Sequence, residues 1–125
     1  MIGIYLLLAL LLVALTKLPV AVAMHRAGGY DNSQPRLQQS DLDGWGRRAV
    51  AAHHNALEAI PVFGLALLAA AHLEVAARVI DGLAITFFVA RLVYQYCYLA
   101  DWASLRTLAW AVGYVACLGL VAAGL

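Results

Sequence analysis

At 125 residues with a formal charge of +1, the chain has room for one domain and lacks the basic field on which nucleic-acid binding depends. Hydrophobic residues make up 65% of it and charged residues 12%, against roughly 45–50% and 25% in soluble domains; the mean hydropathy is +0.84. A soluble protein of this size buries only about two-thirds of its surface, so this much apolar side chain excludes a soluble fold and identifies an integral membrane protein surrounded by lipid.

Four stretches meet the roughly 20 mostly apolar residues that a spanning helix needs. The first runs from about Ile2 to Met24, interrupted by Lys17 and Pro19. A polar, turn-rich loop follows over residues 25–48, with Gly28-Gly29, Asp31, Asn32, Pro35, Gln38, Gln39, Asp41, Asp43 and Gly44. The second stretch, about Ala49 to Ala71, carries His53, His54, Asn55 and Glu58. The third, about Val75 to Leu99, carries Arg78, Asp81 and Arg91, and the fourth, about Leu105 to Leu125, has Arg106 at its entry. Continuous apolar runs rich in Ala and Leu predict helices rather than strands. Short second and third connections make neighbouring helices antiparallel. The expectation is an all-α, four-helix up-and-down membrane bundle in a single domain, residues 1–125.

Cys97 and Cys117 are too few and too far apart for a disulfide framework or a zinc site, and no spacing of ligands suggests a metal. Both read as small buried hydrophobes. Ala21-Val22-Ala23 resembles a signal cleavage site, but no basic segment precedes the apolar run, which is also too long for a signal core. Arg26, Arg36, Arg47, Arg48 and Arg106 lie on the side of the first and third loops, against Arg78 on the other. That imbalance predicts a cytoplasmic first loop and outward termini, with Lys17 snorkelling to the cytoplasmic surface.

Charges inside a span cost roughly 2.5–3.5 kcal/mol each, so they face partners or a cavity. At 100° per residue, Arg48, His54, Asn55 and Glu58 share one stripe of the second helix. Arg91, Tyr94 and Tyr98 form an i, i+3, i+7 stripe on the third, extended by Asp101. Two readings stand side by side. In one, Glu58 and Arg91 pair across the bundle as scaffold. In the other, the stripes line a pocket for an anionic or polar ligand: Arg48, Arg91 and Arg106 offer donor forks to carboxylates, Glu58 holds an ammonium, and the tyrosine hydroxyls position a thiolate.

The stretch RRAVAAHHNALEAIPVF, Arg47 to Phe63, resembles the helix-two signature of the MAPEG family, the membrane-associated proteins of eicosanoid and glutathione metabolism. The match rests on an arginine, the spacing His53-x-Asn55-x-x-Glu58, then Pro61 and Phe63. VARLVYQYCYLADWASLR adds Arg91, Tyr94, Tyr98 and Arg106 in the family's order. The resemblance implies a homotrimer of four-helix bundles with glutathione between subunits near the cytoplasmic face. It implies glutathione contacts from Asn55 and Glu58, contacts from the neighbouring subunit's Tyr94 and Tyr98, and thiolate stabilisation by Arg106. Arg48 and Arg91 would support the site by ion pairing, Arg26 loosely matches a helix-one arginine, and His54 belongs to the same binding stripe.

Two positions depart from the family pattern. An arginine that grips a glutathione carboxylate is replaced by Ala51, and an aromatic residue after the glutamate by Ala59. Losing one charge-assisted fork removes about 1.5–3 kcal/mol of binding, tenfold to hundredfold in affinity. The resemblance implies glutathione conjugation or peroxide reduction on lipophilic electrophiles; separately, with no obvious eukaryotic retention signal in the sequence, the expected location is the inner membrane of a bacterium. Two alternatives remain: a non-catalytic membrane scaffold that kept the bundle, and an enzyme using another small thiol or anion with Arg26 or Arg36 in the missing role.

Overall fold

The computed structural model describes residues 2–125 and is all-helical, with five helices: α1 (Ile2–Arg26), α2 (Pro35–Asp41), α3 (Gly44–His72), α4 (Ala77–Leu99) and α5 (Ala103–Ala122). Three of them, α1, α3 and α5, are long and apolar enough to cross a membrane. With 23 residues, α4 spans about 34 Å at 1.5 Å per residue and carries Arg78, Asp81 and Arg91. The expectation of four helices and a wholly irregular first loop therefore needs correcting by one helix: the first loop is not all loop. It contains α2, and α3 begins at Gly44 rather than Ala49, because Trp45 and Gly46 pack inward and carry the helix past the two arginines. At the other junctions α4 starts two residues later than Val75, and α5 starts earlier than Leu105 and stops at Ala122.

The turn chemistry explains α2. Gly28 and Gly29 adopt φ of +103° and +98°, where a side chain would clash with its own backbone. The Asp31 carboxylate accepts the Ser33 and Gln34 amides at 2.9 and 3.2 Å, and Pro35 supplies a φ already set for the first helical turn. The Gln38 side chain then ties α2 down: its amide donates to the Gly29 carbonyl at 2.7 Å and to Met24 at 3.4 Å, and its oxygen accepts the Asp31 N–H at 2.9 Å.

The long helices associate as two pairs, α1 with α3 and α4 with α5, and α3 bridges them. On α3 the fully buried alanines 49, 52, 56 and 70 let neighbouring backbones come close. The α3 glycine under the closest contact is Gly46, where an added Cβ would stand 3.1 Å from that of Ala23 and 3.3 Å from that of Leu42. One core, drawn from all four long helices, centres on Phe63, Phe87 and Leu67, with Tyr5, Ile80 and Leu120 around them. Phe63 stacks on Phe87 at 4.2 Å, and Phe88 sets its edge against Phe63 at 5.2 Å. A second cluster, Val20, Ala23, Met24, Leu42 and Ala49, closes the end nearest α2. Cys97 and Cys117 are both buried and unpaired with each other.

Outside this core the surface is apolar. Leu10, Leu18, Leu65, Leu108 and Val115 are each more than half exposed. Continuous surfaces of this kind are foreign to water-soluble monomers and suit a hydrocarbon environment. Two polar ties cross the apolar helices: the Tyr5 hydroxyl donates to Asp81 at 2.7 Å, and Thr16 meets His53 inside the α1/α3 seam at 2.9 Å. The Thr16 hydroxyl donates to the Val13 carbonyl, which leaves His53 Nδ1–H as the donor between them.

Candidate functional site

Arg91 is 4% exposed, on the face of α4 turned toward α3. A cation there must be satisfied by its neighbours. Its Nη1 donates to Asn55 Oδ1 at 2.7 Å, and the Asn55 amide donates to Glu58 Oε2 at 3.4 Å. The expected Glu58–Arg91 contact is thus relayed through Asn55, which leaves the Glu58 carboxylate exposed and oriented. Arg91 Nε stays buried with no hydrogen-bond partner in a single chain, as do both amide atoms of Gln95 one turn on.

The α4 stripe forms a column of alternating cations and rings. The Arg91 guanidinium lies 4.2 Å from the Tyr94 ring centroid, Tyr94 meets Tyr98 edge to face at 5.7 Å, and Arg106 covers Tyr98 at 4.5 Å. Cation–π contacts of this kind hold a guanidinium in place without neutralising it. Arg106 sits in the first turn of α5, half-buried.

Three of the sequence candidates lie off this column. Arg48 donates from Nε and Nη2 to the Leu99 carbonyl at 3.4 and 3.3 Å, which ties α3 to the last turn of α4. Arg26 is exposed at the end of α1. His54 is exposed and faces away from Arg91, toward α2.

Two clefts meet at Glu58. One, about 160 Å³, lies among α3, α4 and α5 and is lined by Asn55, Glu58, Phe87, Arg91, Trp110, Tyr114 and Cys117. The other, about 560 Å³, lies among α1, α2 and α3 and is lined by Lys17, Arg36, Gln39, Ser40, Val50, His53, His54, Leu57 and Glu58. Ligand pockets usually measure about 300–1,000 Å³, so the larger cleft can take a molecule of peptide size and the smaller one a few atoms. Tyr94, Tyr98 and Arg106 line neither cleft of their own chain. Lys17, Trp110 and Tyr114 are lining residues that sequence reasoning did not single out for the site. For Lys17 the signal was present as a charge within an apolar run; for Trp110 and Tyr114, an i, i+4 aromatic pair on a lipid-type helix, it was not. Among the described residues no group of His, Cys, Asp and Glu could hold a metal ion.

Comparison with known proteins adds one finding. The family model described as MAPEG family matches residues 1–125, the whole chain. No curated protein and no solved structure matches it.

Proposed function

The chain belongs to the MAPEG family, and from that premise we propose that it is a membrane-bound, glutathione-dependent transferase or peroxidase acting on lipophilic electrophiles. It works as a homotrimer of four-span subunits in a bacterial inner membrane, termini outside, with glutathione held between subunits near the cytoplasmic face. The observation that carries this reading is the oriented Glu58 carboxylate, held by Asn55 and open to a cleft of peptide size. A carboxylate so placed receives the glutathione ammonium group. Tyr94, Tyr98 and Arg106, which line neither cleft of their own chain, serve the neighbouring subunit's ligand.

The chemistry requires a thiolate. A guanidinium beside a thiol favours its ionised form, and the Arg106 guanidinium is held over the Tyr98 ring. In conjugation, the glutathione sulfur donates an electron pair to the electrophilic carbon, and the leaving group departs with the pair from the broken bond. In peroxide reduction, the sulfur attacks the distal oxygen of a hydroperoxide, the O–O bond breaks, and the alkoxide takes up a proton to leave as the alcohol. A second glutathione then converts the sulfenic acid to the disulfide and water. Substrates reach the site from the surrounding hydrocarbon.

Turnover of an organic hydroperoxide and of an activated aryl halide, measured in detergent, tests the assignment. Arg106→Ala should lower kcat at least a hundredfold with the oligomer intact; unchanged turnover removes Arg106 from the chemistry. A second reading, a non-catalytic membrane scaffold, draws on Ala51, a methyl group at the position where the family's carboxylate-gripping arginine stands. Wild-type protein that neither binds glutathione nor turns over either substrate favours the scaffold.

A further inference from the structure

The groove among α1, α2 and α3 is electrostatically two-sided. α2 presents Arg36, Gln39 and Ser40, an i, i+3, i+4 set that shares one helical face, while Gln38, pointing the other way, pins the helix to the end of α1. α1 contributes Lys17, held at the α1/α3 seam because its neighbour Thr16 is tied to His53. α3 contributes His54 and the Glu58 carboxylate. Lys17 and Arg36 thus face Glu58 across a cleft of about 560 Å³. Lys17 is half-buried within an otherwise apolar stretch, a placement whose cost is met by an anion in the cleft.

A groove with cations on one wall and a carboxylate on the other matches an α-amino-acid group, which carries an ammonium and a carboxylate on one carbon. We infer that Lys17 and Arg36 bind the α-carboxylate of the γ-glutamyl end of glutathione while Glu58 binds its ammonium. This pair supplies, from α1 and α2, the anion grip that Ala51 cannot supply from α3. The inference rests on the glutathione reading above and adds the residues that decide recognition of that end of the peptide.

The test uses the full chain in detergent and three ligands, with affinities from calorimetric titration. They are glutathione, its 4-aminobutyryl analogue (ammonium kept, α-carboxylate absent) and its glutaryl analogue (carboxylate kept, ammonium absent). Wild-type protein should bind each analogue about tenfold to hundredfold more weakly than glutathione, the range for one charge-assisted contact. Lys17→Gln/Arg36→Gln should bind glutathione as weakly as the 4-aminobutyryl analogue, yet still discriminate against the glutaryl one; Glu58→Gln should show the reverse. Because Arg36 is exposed on α2, Arg36→Gln alone folds and carries the comparison should the double variant fail to fold. A variant that still prefers glutathione over the 4-aminobutyryl analogue by the wild-type factor overturns the anchor and leaves the glutathione reading standing. Wild-type protein that does not bind glutathione overturns both.

Discussion

Around Phe63 all four long helices meet through apolar side chains, with three phenylalanines in mutual contact and Leu67 and Leu120 wholly buried. Around Arg91, on the same helices, the interior is held by single hydrogen bonds and cation–π contacts, and several buried polar atoms have no partner within the chain. In a membrane the first kind of region gains from dispersion and close fit, which lipid cannot reproduce well. The second kind forgoes that fit in exchange for charged groups held where a ligand or a neighbouring subunit can reach them. The unsatisfied Arg91 Nε and Gln95 amide belong to the second region for that reason.

The largest expected effect tests the apolar region. Phe63→Ala should lower stability in detergent by about 3–5 kcal/mol, the usual cost of emptying a buried aromatic site, read as a steep fall in the thermal unfolding midpoint. Equal loss on replacing an exposed leucine such as Leu65 would erase the contrast. In the polar region, Asn55→Leu should cost about 1.5–3 kcal/mol, because it strands the buried Arg91 guanidinium, and should also abolish stabilisation by glutathione. A normal midpoint with lost ligand response would show that water or lipid headgroups satisfy Arg91. Smallest, Thr16→Val removes the acceptor of His53 and should cost about 0.6 kcal/mol, the average for hydrogen bonds between membrane helices, and at most about 1.7; the same thermal melts resolve it.

Hydropathy made the long helices legible, since 25, 29, 23 and 20 residues of regular helix correspond closely to the apolar runs. It misplaced the start of α3 because Arg47 and Arg48 look like an end when only apolarity is counted, while the backbone continues through them. The seven residues of α2 are too few and too polar to show a hydrophobic period; Pro35 and Gln38 carry their signal, through turn chemistry and backbone ties instead. Within the site, helical spacing correctly grouped Arg91 with Tyr94 and Tyr98, and Asn55 with Glu58. It did not separate His54 from Asn55, which adjoin in sequence but open onto different clefts. Nor did it foresee the Thr16–His53 tie, a contact between residues 37 apart with no periodicity to announce it. Lys17 read as a residue reaching toward water, and in the fold it is half-buried along the cleft beside α2 and α3.

Gly46 acts as a spacer by what it lacks. With only 3.1 Å between a would-be Cβ and Ala23, a single methyl would push the end of α1 a few tenths of an ångström away from α3, about 9 Å along the helix axis from Lys17. Because α2 is fastened to α1 by Gln38, it would shift with that end. The aperture between the two cations and Glu58 is thereby set by one missing side chain at the seam, so the electrostatic reach of the groove is calibrated by steric contact at a position that touches none of its charges.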